Sequence, residues 1–590
     1  MNRSLFFAAV LIASLAAEQA VAGQTQSQLT FRGTTTLAGS ASPAAAGTSG
    51  PEIHPGPEFD AHFERLAKGA VSPSRVPADH VPRPADSGLA GYTPGLGFEG
   101  LTHRDQRSAS NGNQFSLEPP DQALAVSDQY VVEAVNTAIR VRDRQGNALT
   151  PAIALNAFFG LAPIITRSTP PVYGPFTSDP KAYFDVDTQR WFVTLLEIDQ
   201  DPTTGAFKPK SSVLIAVSTT ADPRATWFLY SIDTTNVTGT PEHAGCPCLG
   251  DQPLIGADAF GFYITTNEFP IFQSGFNGAQ VYAMSKKGIE AGLLGPVVAF
   301  SGLPLAEGPA YTLQPAITAQ GGTHAGGVAG TEYFLSALDF NATLDNRIAI
   351  WALTNTSSLD TPTPNLTLKS TIVASQVYGQ PPDVQQKPGP TPLGDLIASG
   401  AFGKAGAQAL PLIAANDDRM QQVTWANGKL WSSLNSVVKP TNGPVQSGAA
   451  WFIVEPQWAG AVLGGRIVKQ GYVAQSGFGL VYPSIGVNSS GKGVMSFSIT
   501  GTSLYPSVGY VPIDDVRGAG AITLVALGAA PEDGFTGYPI FGGNRAARWG
   551  DYSAAVADKT GTIWFANEYI PNAPRTLLAN WGTFIGRVTP

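Results

Sequence analysis

Two stretches of this sequence carry the same acidic and amide residues at the same spacing. Residues 250–269, GDQPLIGADAFGFYITTNEF, align without a gap on residues 550–569, GDYSAAVADKTGTIWFANEY, and seven of twenty positions are identical. The matches include Asp251 and Asp551, Asp258 and Asp558, and the pairs Asn267–Glu268 and Asn567–Glu568. Side chains of these types can do three kinds of work. They can cap strand ends and pin neighbouring elements. They can ligate a hard cation such as Ca2+, which takes about six to eight oxygen ligands. They can also supply the acid and base carboxyls of glycoside hydrolysis, which makes Asp251, Glu268, Asp551 and Glu568 the candidate catalytic residues.

An echo at long range points to one supersecondary unit used repeatedly. From about residue 119 the chain reads as an apolar strand, a tight polar turn and a second strand rich in aromatic and β-branched residues. Seven such hairpins are expected, turning at 127–128, 187–189, 258–261, 321–330, 427–428, 489–491 and 558–561. Two further strands follow each hairpin, most clearly 211–218 and 227–233, 279–285 and 296–300, and 347–353 and 366–374. Four antiparallel strands repeated seven times make an all-β, seven-bladed β-propeller. The offset of 300 residues between the echoes spans four repeats, a period of roughly 75. Two packed sandwiches are the rival architecture, but they do not require a fixed period. The chain ends on the third strand of its last blade, WGTFIGRV (581–588). The missing fourth strand is expected from LGFEGLTH (96–103), or else from LTFRGTTT (29–36).

In a propeller the start of the first strand and the end of the second share one face. That face would gather Asp121 with Asn136, Asp179 with Glu197, Asp251 with Asn267 and Glu268, and Asp551 with Asn567 and Glu568. Of these, Asp121, Asp179, Asp251, Asn267, Glu268, Asp551, Asn567 and Glu568 are the expected ligand-binding residues. A long connection, 375–418, enters the fifth blade at the same rim, and loops of that length often cover or build sites. Arg419 and Arg548 lie near this rim as well.

The amino terminus reads as a secretory signal: Arg3, an apolar core from Leu5 to Leu15, and the Ala20-Val21-Ala22 cleavage pattern. Three regions follow from this reading. Residues 1–22 are a signal peptide, 23–94 a segment rich in Pro, Ala and Gly with one short helix at 59–68, and 95–590 the propeller. A secreted or periplasmic destination is expected, with no membrane span. In such a compartment the two cysteines, Cys246 and Cys248, are expected to form a small-ring disulfide if the loop brings their Cα atoms together. Net charge is −9 with only 13% charged residues and no basic run, which argues against nucleic acid and anionic lipid as partners.

EPPDQALAV (118–126), SDPKAYFDVDTQRWFV (178–193), AVSTTADP (216–223), CPCLGDQPLIGADAFGFYITTNEF (246–269) and RWGDYSAAV (548–556) resemble segments of a group of secreted bacterial β-propeller-like proteins of unknown function. The resemblance covers most of 95–590. It implies a propeller and brings no reaction or site residue with it.

Several chemistries lack their residues. Four of the 6 histidines precede the first hairpin, no G-x-S-x-G elbow occurs, and no phosphate-cradling glycine pattern is present. A sialidase would show S-x-D-x-G-x-T-W turns and three channel arginines. ADKTGTIW (557–564) carries one residue too many, and no third arginine is evident. The expected function is therefore an exported monomeric propeller binding a glycan or other extracellular polymer at the rim, with Ca2+ as the cofactor this reading allows. A carbohydrate-active hydrolase or lyase using the rim carboxylates is the alternative, and a cell-surface scaffold for protein partners is a third.

Overall fold

The computed structural model describes residues 24–37, 76–236, 243–305, 308–338, 344–403 and 406–590. The expected signal peptide and the helix expected at 59–68 lie outside the described residues. The fold is mostly β. All seven expected hairpins form, and their first strands are Gln122–Val126, Phe176–Asp185, Cys248–Ala257, Gln314–Thr318, Val423–Ala426, Gly479–Val487 and Ala554–Ala557.

Each hairpin continues antiparallel into further strands. In the second run Phe176–Asp185 pairs with Arg190–Gln200, which pairs with Phe207–Ser218 and then Thr226–Asp233. Parallel contacts between first strands, Ala257 to Ile317 and Ala316 to Val423, join several runs into a seventeen-stranded order. Every first strand lies against the first strand of the next run, and Ala554–Ala557 lies against Gln122–Val126.

The core sits between successive sheets. Phe192, Val213 and Tyr230 of the second run pack on Ile255, Phe262 and Tyr282 of the third. Phe565 and Ile563 of the seventh pack on Val494 and Val508 of the sixth. Trp564 and Ile585 of the seventh meet Leu124 and Val131 of the first. Burial of side chains this large contributes about 1.5–3 kcal/mol each.

The echoed aspartates explain their own recurrence. Asp258 Oδ1 accepts the amides of Phe260 and Gly261 and the hydroxyl of Tyr263. Asp558 Oδ1 accepts the amides of Thr560 and Thr562, while its Oδ2 accepts the indole N–H of Trp564. One carboxylate thus closes the turn and fixes an early aromatic of the second strand.

The last sheet is completed from the other end of the sequence. Gly97–Thr102 pairs antiparallel with Gly582–Val588, as the first of the two expected assignments has it. The upstream strand, Thr25–Thr36, lies elsewhere: residues 29–36 extend the second run along Thr226–Asp233, and residues 25–28 reach the third run at Pro296–Phe300. The 375–418 connection is not irregular throughout. Pro392–Ala398 is a short helix with proline in its first turn, and Leu412–Ile413 pairs with Ala546–Ala547.

Candidate functional site

The first strands are kinked where they enter the centre. Register shifts fall between Ser178 and Lys181, Asp251 and Leu254, and Val481 and Ser484. The kinks hold Asp179, Gln252 and Tyr482 at φ of 56°, 49° and 52°, each just before a proline. Proline removes a ladder donor and marks a bulge, and bulges re-aim side chains beside sites.

Here the bulges bring carboxylates of different sheets together. Asp179 Oδ2 accepts the amide of Gln252, and Asp121 Oδ1 accepts the amide of Asp551. Arg548 donates to Asp551 Oδ2 at 3.0 Å, and Asn416, at the end of the long connection, donates to Asp551 Oδ1. Arg419 is clamped by Asp417, donates to Gln252 Oε1 and lies over the Tyr311 ring. Lys181 stands among Asp121, Asp179 and Asp551 with its ammonium 2.9 Å from the centre of the Tyr552 ring.

Burial, with Asp551 and Asp179 alongside, holds the Asp121 carboxyl well above the usual carboxylate range. Burial also pushes the Lys181 ammonium down to about 7, against the pull of the three aspartates. Asp121 is fully buried, whereas Lys181 and Asp251 are half-buried. The cavity beneath, lined by Gln122, Lys181, Gln314 and Gln422, has room for no more than a few water molecules.

The other expected residues divide. Asn267 and Glu268 follow one another on a strand and point apart. Asn267 exchanges hydrogen bonds with Thr312 of the next run, so it pins neighbouring sheets. Glu268 turns away and accepts from Asn236, His243 and Asn277. Asn567 donates to Ser553 within its own hairpin. Glu568 accepts the Gly550 amide and is held well above its usual range by burial and by Glu532, Glu118 and Asp121. Glu197 pairs with Arg32 of the upstream strand at 2.8 Å. The aromatics Phe269 and Tyr569 pack against Phe276 and Phe584.

Lys181, Glu118 and Glu532 were not among the residues expected from sequence. The proline four or five residues into a first strand is the signal that could have found Lys181. Glu532 lies in a connection with no local pattern.

Cys246 and Cys248 are bridged, with Cα atoms 4.4 Å apart. His243, Cys246 and Glu268 bring ligand-type atoms within 4.8 Å of one another, but the bridge occupies the Cys246 sulfur. The hydrogen bond to Glu268 raises the His243 pKa. Burial, helped by Arg107 and Arg575, pushes His103 down to about 3. NMR titration should therefore show His243 protonating above the ordinary value of 6.5 and His103 neutral wherever the protein is folded. A raised imidazole stabilises fully below the unfolded pKa, and that contribution fades as pH rises through the folded value.

No protein-family model matches the chain, and no curated protein matches it either. Among solved structures, a phage phi92 endosialidase is 9% identical over 70% of this chain and 67% of its own, with a TM-score of 0.28. Trypanosoma rangeli sialidase is 11% identical with a TM-score of 0.29; the match covers 69% of this chain but only 54% of the sialidase. An exo-β-1,3-galactanase from Clostridium thermocellum is 10% identical over 83% of this chain and 99% of its own, with a TM-score of 0.27. Scores and identities of this size carry no argument about activity. Among the described residues no helix is long and apolar enough to cross a membrane.

Proposed function

We propose that this chain is an exported seven-bladed β-propeller that binds a hydroxyl-rich ligand, a glycan or another extracellular polymer, at the mouth formed by Asp121, Asp179, Asp251, Asp551 and Lys181. The blade reading draws on the seven hairpins, the apolar clusters between successive sheets, and the contact of the seventh first strand with the first. Export draws on the signal pattern at 1–22 and on a disulfide, a bond that persists in oxidising compartments.

The observation that carries the ligand reading is the convergence of carboxylates from three sheets around one amine. Sugar hydroxyls both donate and accept, so a ring of acceptors with one central donor suits them. The mouth is narrow, so the ligand would lie across it and reach in with single hydroxyls.

A glycan array with the wild type and Lys181→Met tests this reading. The expected result is a bound glycan class whose affinity drops at least tenfold in the variant. Affinity should also weaken as pH rises through about 7, where Lys181 loses its charge. An array with no hits, or a Lys181→Met protein that binds unchanged, would sink it.

A second reading has one observation in its favour. Burial and neighbouring carboxylates raise the proton affinity of Asp121, which lies beside Asp551 with its Arg548 partner, and a carboxyl pushed up beside a salt-bridged one is the equipment of glycoside cleavage. Turnover on a polysaccharide panel that disappears in Asp551→Asn would support it, and absence of any turnover would remove it.

A further inference from the structure

In the third run a disulfide lies against a buried carboxylate. Cys248 opens the strand Cys248–Ala257, and Glu268 stands near the end of the neighbouring strand Gly261–Pro270. The bridge joins Cys248 to Cys246 across a single residue. Cys248 is fully buried, whereas Cys246 is half-buried. An incoming group therefore meets Cys246 first.

A ring this small constrains the unfolded chain far less than a long loop does, so it is a weak staple. The loop is also held without it. The Cys248 amide donates to the Thr235 carbonyl and the Ile271 amide to the Pro247 carbonyl, both at 2.9 Å. The side-chain amides of Gln273 and Asn277 reach the carbonyls of Gly245 and Ala244 at 2.9 and 3.0 Å. The bridge can open while its loop stays in place.

The groups around the sulfurs are those that move protons. Glu268 Oε1 lies 3.8 Å from Cys246 Sγ. The same oxygen accepts from His243 Nδ1 at 2.6 Å and from Asn277 Nδ2 at 3.0 Å, and Glu268 Oε2 accepts from Asn236. Asn277 Nδ2 stands 3.5 Å from Cys248 Sγ as well, so one amide serves both the carboxylate and the buried sulfur. Glu268 is 1% exposed, and His243 covers it with a side chain that is 13% exposed. A bridge that only staples the chain uses none of these groups.

We propose that Cys246–Cys248 is a thiol–disulfide exchange site that takes two electrons from a dithiol. The first thiol of the dithiol passes its proton to the Glu268–His243 pair, and its thiolate attacks Cys246 Sγ. The bond between Cys246 and Cys248 breaks, and Cys248 leaves as a thiolate beside the Asn277 N–H. That thiolate takes the proton of the second thiol, whose sulfur then attacks the first. Cys246 is released and recovers a proton from the Glu268–His243 pair. The dithiol ends as a disulfide, and its two electrons and two protons end on Cys246 and Cys248. The same steps run backwards on another disulfide restore the bridge. Glu268 and Asn277 act on the reacting sulfurs, and His243 is a positioning residue that fixes Glu268 Oε1.

The test uses the full mature chain in its bridged form without denaturant. Dithiothreitol and a synthetic peptide carrying two cysteines are added in separate arms, and new thiols are counted by alkylation and mass. The expected result is two new thiols and one equivalent of oxidised dithiol, with the cooperative melting transition retained. The faster arm tells a polypeptide dithiol from a small one. Glu268→Gln should slow exchange at least tenfold. With the oxidised peptide, Cys248→Ser should trap a mixed disulfide on Cys246, and Cys246→Ser should trap at least tenfold less. A bridge that stays closed until denaturant is added overturns the proposal. So does a reduced protein that has lost its melting transition, since the bridge would then be a staple. Equal trapping by the two serine variants, or wild-type exchange in Glu268→Gln, overturns it too. The wild-type arms stand by themselves should a variant misfold. Thiol counts do not depend on a glycan, so failure here and failure of the ligand reading remain separate results.

Discussion

Replacing Asp533 with alanine is expected to cost on the order of 3–5 kcal/mol of folding stability, the penalty for breaking a buried ion pair from one side. Asp533 is fully buried and serves four partners. Its carboxylate receives Arg575, the Tyr538 hydroxyl, and the amides of Leu393 and Gly394 at the start of the short helix in the long connection. Alanine would leave the guanidinium uncompensated and two helix-start amides without an acceptor. Asp533→Asn keeps the shape and should fall between the two. Chemical denaturation gives the ΔΔG. A change below about 1 kcal/mol would mean that the helix at 392–398 and the segments at 535–541 and 575–578 are held by their apolar contacts alone.

The second large effect is expected at the completion of the seventh sheet. Deleting the chain through Thr102 would leave Gly582–Val588 with a free edge and remove the contact of Phe98 with Trp564. It would also strip Glu133 of the Leu101 amide and Arg142 of the Gly100 carbonyl. Exposed edges recruit other strands, so light scattering should report aggregation and calorimetry should lose a single cooperative transition. A milder variant grades the effect. A side chain on Gly100 would run into Glu133 Oε1 and Thr583 Oγ1, so Gly100→Val should cost about 1–3 kcal/mol through overpacking. A truncated protein that stays monomeric with an unchanged melting curve would show that the strand is dispensable.

Much of the strand order could be read from the sequence because local chemistry marked it. Asp, Asn and Gly sit at the hairpin turns, and an early aromatic follows in the next strand, as with Asp558 and Trp564. The strand at 97–102 was legible for a different reason: the last sheet was one member short. Placement of Thr25–Thr36 was not legible, since nothing in TQSQLTFRGTTT says which edge it joins. The site was legible only in part. Position at a strand start pointed to Asp121, Asp179 and Asp551, and the structure does bring these three together. The same rule grouped Glu268 with them, but alternation along the strand sends it to His243 and Asn277. Glu532 and Glu118 meet only because distant connections converge, and no periodicity records that.

The pairing of Gly97–Thr102 with Gly582–Val588 sets a timetable as well as a shape. Synthesis runs from the amino end, so a segment made early must wait for nearly the whole polypeptide before its partner leaves the ribosome. Contacts this far apart in sequence are slow to form. The latch between Gly97–Thr102 and Gly582–Val588 therefore cannot shut until both of its strands have been made.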